Sequence, residues 1–224
     1  RFKDNSWPSF QAIFSTERLK NMLSINLDIL LRSIMLQAIF VSFLLYGGKF
    51  GDVKLAANQI LLQFLHVAAH GLDGFAFAAE TLVGQAFGRK DRTILRKSVT
   101  VTSKLAFLLC LIMAIIFFFI GSSLIEVMTT AEDVRLEAKG YIIFIVLVPI
   151  LGVFPYMLDG IFVGAMKTKD MRNMMFISLI FYLLALILLV PHFENIGLWL
   201  ALLFSFIVRG VTLLLRYPSL EKSI

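Results

Sequence analysis

A row of amide, imidazole and carboxylate side chains repeats at helical spacing inside one apolar stretch of this sequence. The row consists of Gln59, Gln63, His66, His70, Asp73 and Glu80. Steps of 4, 3, 4, 3 and 7 residues place all six on one face of a helix. Carboxylates and imidazoles exchange protons and attract cations, and two histidines one turn apart also suit a divalent metal. The glutamate of an HExxH motif and a second cluster are both missing, so no metal site is predicted.

The stretch that carries this row, residues 55–87, is otherwise mostly Leu, Ile, Val, Ala and Phe. A helix of this length measures about 50 Å, more than the 30 Å hydrocarbon core of a typical bilayer. A charged side chain facing lipid costs about 3 kcal/mol or more. We therefore predict that the polar face lines a water-filled cavity inside a membrane bundle. The helix should tilt or bend, with Gly71 and Gly74 as its weak point.

The composition also indicates a membrane protein, because 59% of the 224 residues are hydrophobic and only 16% are charged. The predicted fold is an all-α integral membrane bundle of six spans, within a lobe at 22–217. The spans cover about 22–46, 55–87, 101–124, 140–164, 173–190 and 196–215. Residues 1–21 are predicted as a linker or interfacial segment, and 218–224 as a polar tail. The single cysteine, Cys110, excludes a disulfide framework and is read as a small buried or lipid-facing hydrophobe.

The net charge of +6 alone would suit a nucleic-acid partner, but the placement of the basic residues favours membrane topology. Fourteen of the 21 Lys and Arg lie in the N-terminal segment, in the loops after the second and fourth spans, and in the C-terminal tail. The intervening loops hold four. This bias predicts both termini in the cytoplasm, the bilayer as a partner, and no nucleic-acid partner.

Three acids inside the spans are the main candidates for binding a substrate or a coupling ion. Desolvation favours the protonated form of a carboxyl group, so Asp73 could exchange a proton or attract a cation, or only hold the helix bend. Glu80 lies two turns nearer the cytoplasm and could instead pair with Arg89. Asp159 shares the Leu-Asp-Gly context of Asp73, and could equally form a closing contact between helices.

The remaining candidates have both structural and functional interpretations. Gln63, with His66 and His70, is predicted to form hydrogen bonds between helices or across the cavity, and could also touch substrate. Tyr156 could offer an aromatic face to a cation. Asp28 and Arg32 are predicted to form a structural ion pair at i, i+4 spacing, with a gating role as the alternative. Pro149 and Pro155 should kink or partly unwind the fourth span.

Four segments resemble the second half of the multidrug and toxin extrusion (MATE) family. They are LAANQILLQ, LDGFAFAAETLVGQAFGRKD, TTAEDVRLEAKGYIIF and MLDGIFVGAMKTKDMRN. The segments NLDILLRSIMLQ and GLWLALLFSFIVRG resemble the DinF-like branch more narrowly. The resemblance covers nearly all of residues 22–217.

The resemblance implies a twelve-helix exporter of amphipathic or cationic molecules in a bacterial inner membrane, driven by protons or sodium, with this chain as its C-terminal lobe. The N-terminal six-helix lobe is then the missing partner, and no cofactor is expected beyond the coupling ion. In the sodium-coupled branch, acids occupy the first and fourth helices of this lobe. Here Gly152 stands at the matching position of the fourth helix, Asp28 lies outside the motif, and the resemblance assigns the proton-carrying aspartate to the other lobe.

Alternative functions stay open at this point. A lipid-linked precursor flippase shares the two-lobe architecture, but would need a basic chamber for pyrophosphate, whereas the intramembrane charge here is chiefly acidic. A structural membrane protein could use the same polar groups only to join helices. An intramembrane hydrolase is not favoured, because no nucleophile and base pairing is evident.

Overall fold

The computed structural model describes residues 16–224, which are almost entirely helical. The elements are α1 (Thr16–Gly47), a short 3-10 turn (Gly48–Phe50), α2 (Asp52–Arg89), α3 (Arg92–Met128), α4 (Glu132–Gly140), α5 (Ile142–Gly164) and α6 (Thr168–Lys222). All except the 3-10 turn and α4 are long and apolar enough to cross a membrane. The helices extend beyond the predicted spans, because their backbone hydrogen bonds continue through the polar flanking residues. Residues 16–21, predicted as part of the linker, are therefore helical, while 1–15 lie outside the described residues.

Helix α6 folds back on itself at Glu194, whose φ of 46° and ψ of −125° are not helical. We call residues 168–193 α6a and residues 195–222 α6b. The two halves pack against each other, since the Ser178 hydroxyl donates to the Ser205 carbonyl at 2.8 Å. A side chain at Gly197 would meet the Leu189 carbonyl, so only glycine allows this tight reversal. With this turn residues 16–224 form six long apolar segments.

Both helices that were predicted to be weak are unbroken. Helix α2 runs through Gly71 and Gly74, and α5 runs through Pro149 and Pro155 without losing helical geometry. Partial unwinding of the fourth span is therefore not found, while the kink at Pro149 and Pro155 and the bend at Gly71 and Gly74 stay predictions. Both prolines lie inside the bundle, where neighbouring helices hold the chain on each side of the missing amide donors.

Two apolar clusters form the core. The first lies at the end of the bundle where α1 ends and α2 begins, and includes Phe43, whose ring packs edge-on against Trp199 at 4.9 Å between centroids. The second lies at the opposite end and includes Cys110, which is completely buried. Outside the core, large apolar side chains face outward, among them Phe119 and Leu215, both 74% exposed. Such a surface suits contact with lipid rather than water.

A buried polar contact joins α2 to α6b near the first cluster. The Asn58 amide donates to Asn195 Oδ1 at 2.7 Å, and the Asn195 amide donates back to Asn58 Oδ1 at 3.1 Å. The indole of Trp199 donates to the same Asn58 oxygen at 2.9 Å. All three side chains are essentially inaccessible, so this network fixes the start of α2 against α6b.

Candidate functional site

A cavity of about 540 Å³ lies between α1, α2 and α5. Its polar and charged lining consists of Arg32, Gln37, His66, His70, Asp73, Glu80, Tyr156 and Asp159. Its apolar lining includes Leu36, Phe40, Phe77, Val163 and Met171. His66, His70 and Phe77 are exposed whereas Asp73 and Glu80 are half-buried, so the cavity is open along α2.

The helical spacing of α2 and its crossing with α5 build this site. His66 and Glu80 are 14 residues apart, which spreads the polar face over about 21 Å of helix. A side chain at Gly160 would collide with the Ala76 carbonyl, and one at Gly164 would collide with the Glu80 carbonyl. The two backbones are therefore in direct contact where Asp73 and Glu80 face the cavity. This contact places Asp159, the residue before Gly160, on the same cavity wall.

Asp159 is bound by two arginines. Arg32 of α1 and Arg209 of α6b both form ion pairs with its Oδ2 atom. Arg209 is 2% exposed, whereas the Arg32 side chain is 19% exposed and lines the cavity. Two cations around one anion leave this cluster with a net charge of +1. Within residues 16–224, Asp159 Oδ1, Arg32 Nε and Arg209 Nη1 have no hydrogen-bond partner.

The predicted pair between Asp28 and Arg32 is wrong. Asp28 accepts a hydrogen bond from the Thr168 hydroxyl at 3.1 Å and another from Arg172 Nη1 at 2.5 Å. Arg32 turns instead to Asp159. Asp28 therefore pairs with α6a and Arg32 pairs with α5. These contacts between helices replace the weak pair that i, i+4 spacing allows within α1.

Asp73 and Glu80 have no ion-pair or hydrogen-bond partner in the described part of the chain, 16–224. The alternative pairing of Glu80 with Arg89 is therefore not found there. His70 Nδ1 lies 2.6 Å from the His66 carbonyl, which assigns the proton to Nδ1, so this bond lies within α2 and not across the cavity. The His66 ring lies beside that of Phe40, with 5.9 Å between centroids.

The two glutamines of the polar face do not share the cavity with its other residues. Gln63 and Gln59 are exposed on α2 and do not line the cavity. The predicted contact between helices is made by their neighbour Asn58. Tyr156, by contrast, lines the cavity beside Asp159, as its position on α5 predicted.

Sequence reasoning missed two site residues, Arg209 and Gln37, and gave Arg32 a different partner. Arg209 carries a charge in the middle of an otherwise apolar span, a signal that could have identified it. Gln37 and Arg32 are five residues apart on α1, and no repeating pattern indicates that they share the cavity with α2.

Comparison with known proteins identifies the family. The family model described as MatE matches residues 29–190. DNA damage-inducible protein F of Escherichia coli (strain K12) is 34% identical over 194 residues, which are 87% of this chain and 42% of that protein. This match agrees with the predicted DinF-like branch.

Solved transporters share the fold. The Vibrio cholerae MATE transporter VcmN, in its bent form, matches with a TM-score of 0.84 and 19% identity over 96% of this chain and 49% of its own. A MOP superfamily transporter from Pyrococcus furiosus matches with a TM-score of 0.78 and 14% identity over 88% of this chain and 44% of its own. The fold is thus that of one lobe of such a transporter, as predicted. This chain spans about half the length of these relatives.

The family model covers most of the chain, five of the described helices are long and apolar enough to span a membrane, and the fold is that of one transporter lobe with a polar cavity on α2. The chain is therefore a multi-pass membrane protein that belongs to the MatE family of transporters.

Proposed function

We propose that this chain is the C-terminal lobe of a secondary active exporter that moves amphipathic cations out of the bacterial cytoplasm in exchange for protons. The observation that carries this proposal is the cavity on α2, where Asp73 and Glu80 face open space with no partner in residues 16–224. A second six-helix lobe would cover the open side of this cavity. The distribution of basic residues supports cytoplasmic placement of both termini in the inner membrane.

The charges around the cavity favour Asp73 and Glu80 as the cation-binding groups. Asp159 already has two arginine partners, so it has no charge to offer a cationic substrate. The apolar walls formed by Phe40, Phe77 and other side chains would supply most of the affinity through buried apolar surface. Tyr156 lies on the same wall and offers its ring to a cation.

Antiport follows if proton and substrate compete for the same carboxylate. A protonated Asp73 has no charge to hold a cation, and a bound cation opposes protonation. Rocking of the two lobes would expose the cavity to each side of the membrane in turn. A sodium ion could take the place of the proton in this scheme, and the test below separates the two ions.

Transport by the complete protein in proteoliposomes tests the proposal, with ethidium as the cationic probe. We expect Asp73→Asn and Glu80→Gln each to lower pH-driven ethidium transport at least tenfold. The matched control is Glu126→Gln, because Glu126 is an exposed acid paired with Lys139 outside the cavity. Transport driven by a sodium gradient and not by a pH gradient would contradict proton coupling. Wild-type transport by both cavity variants would contradict the exporter mechanism and favour a purely structural role for these acids.

A second candidate function, translocation of a lipid-linked precursor, is favoured by the excess positive charge of the arginine cluster. Arg32 lines the cavity, and Arg209 lies behind it on the same carboxylate. A pyrophosphate group would bind at such a site. If this function holds, a polyprenyl pyrophosphate will displace ethidium from the purified protein, and Arg32→Gln will weaken the pyrophosphate more than the dye. Failure of the pyrophosphate to compete would exclude this candidate.

A further inference from the structure

A second cavity, separate from the polar one, lies on the outer surface of the bundle between α3, α5 and α6b. It has a volume of about 510 Å³ and an almost entirely apolar lining. Its floor is formed by Val153, Met157 and Ile161 of α5, all of which are buried. Because the surrounding side chains face lipid, the natural occupant of this groove is a hydrocarbon chain.

Three of the side chains that line the groove are polar or charged. Ser103 and Lys104 come from the first third of α3, and Tyr217 comes from the last turns of α6b. The start of α3 and the end of α6b lie at the same end of the bundle, because Arg96 forms an ion pair with Glu221. Val153, near the middle of α5, lies toward the opposite end of the groove. The groove itself is almost entirely apolar, and Lys104 stands exposed at its edge, between Val99 and Phe107 on α3.

The ammonium group of Lys104 can bind an anion at the edge of the groove. It is exposed on a membrane-crossing helix, and within residues 16–224 no carboxylate pairs with it. It lies 12 residues after Arg92, about 18 Å along α3, close to the predicted start of the apolar span at 101. A lysine at this depth extends its ammonium group toward the lipid headgroups.

The charge around this end of the bundle is positive. Arg92 and Arg216 are exposed at this end of the bundle, and neither lines the groove. Basic pockets between membrane helices on the cytoplasmic side attract the phosphate groups of anionic lipids. Both the apolar lining and the exposed ammonium group of Lys104 therefore match a phospholipid and not a water-soluble ligand.

We propose that this groove is a binding site for an anionic phospholipid. Lys104 binds the headgroup phosphate, Ser103 and Tyr217 donate hydroxyl hydrogen bonds to it, and one acyl chain lies along α5 over Met157. The site is independent of the polar cavity, so it stands whether or not the proposed transport function holds.

Native mass spectrometry of the complete protein in detergent tests this site, with phosphatidylglycerol as the anionic probe and phosphatidylcholine as the neutral one. We expect Lys104→Gln to reduce bound phosphatidylglycerol at least fivefold. The matched control is Lys97→Gln, an exposed lysine on the same helix that does not line the groove, and it should retain wild-type binding.

A second variant tests the groove itself. Leu214 lines the groove and is 58% exposed, so Leu214→Trp fills space without disturbing the core. We expect it to lower binding of both lipids. Equal losses in the Lys97 and Lys104 variants would mean general charge attraction and would overturn the proposal. Unchanged phosphatidylglycerol binding in either Lys104→Gln or Leu214→Trp would overturn it as well.

Discussion

Arg209 on α6b and Asp159 on α5 form an ion pair inside the bundle, and Arg32 of α1 binds the same carboxylate oxygen. Three helices that are distant in sequence are thus joined at one anion. Because the cluster has a net charge of +1, the three residues contribute unequally to the stability of the protein. Asp159 compensates both arginines, whereas either arginine alone would neutralise Asp159.

This difference in charge balance predicts that one substitution destabilises the protein strongly and another hardly at all. Asp159→Asn leaves Arg209 buried without a counter-charge, so we expect it to destabilise the protein by about 3 to 5 kcal/mol. Arg209→Met leaves a neutral pair between Asp159 and Arg32, so we expect a change of less than about 1 kcal/mol. Thermal unfolding of the two variants in the same detergent checks this order. A larger loss for Arg209→Met than for Asp159→Asn would contradict the charge assignment.

The buried amide network makes a second prediction. Asn58→Leu removes the partner of Asn195 and of the Trp199 indole, so we expect a loss of about 2 to 4 kcal/mol from unmet hydrogen bonds. Gln59→Leu, one residue along and exposed, should change stability by less than about 0.5 kcal/mol. Unfolding measured on both variants separates the two roles. Equal effects at positions 58 and 59 would remove Asn58 from the α2–α6b contact.

The crossing of α2 and α5 makes a third prediction. Gly164→Ala places a methyl group against the Glu80 carbonyl, so α5 must shift away from α2, at a cost of about 1 to 3 kcal/mol. The control Gly74→Ala meets open space and should be neutral or slightly stabilising, since alanine favours the helix. Comparison of the unfolding midpoints checks this, and a tolerated alanine at 164 would rule out the close backbone contact.

Asp28 supplies a fourth prediction, because its partner lies on α6a and not on its own helix. A double-mutant cycle of Asp28→Asn with Arg172→Gln should give a coupling energy of about 1 to 3 kcal/mol. The cycle of Asp28→Asn with Arg32→Gln should be additive within about 0.5 kcal/mol. Stronger coupling to Arg32 would restore the local pair that the helical spacing suggests.

The helical periodicity of α2 was enough to place most of its polar residues on one cavity. The cavity is lined by His66, His70, Asp73 and Glu80, because residues spaced three, four or seven apart lie on one face of a regular helix. Gln63 does not line the cavity and is exposed on α2. Composition and apolar length likewise predicted the all-α membrane fold.

The partners of the charged residues could not be predicted from spacing. Arg32 is 127 positions from Asp159, and Asp28 is 144 positions from Arg172. Such pairs depend on how the helices pack, and local sequence favoured the wrong pair between Asp28 and Arg32. The unwinding predicted at Pro149 and Pro155 failed for a related reason, because neighbouring helices support α5 on both sides of each proline.

The central claim is that the polar face of α2 meets water, and thiol accessibility tests it most directly. In a Cys110→Ser background, His70→Cys and Asp73→Cys should react with a membrane-impermeant, charged thiol reagent, because only a hydrated thiol ionises and reacts. Ile115→Cys, on the outward face of α3, should not react, since that side chain is exposed to lipid. We predict that the thiols at positions 70 and 73 are labelled at least tenfold faster than the thiol at position 115. Equal labelling rates at all three positions would contradict the claim.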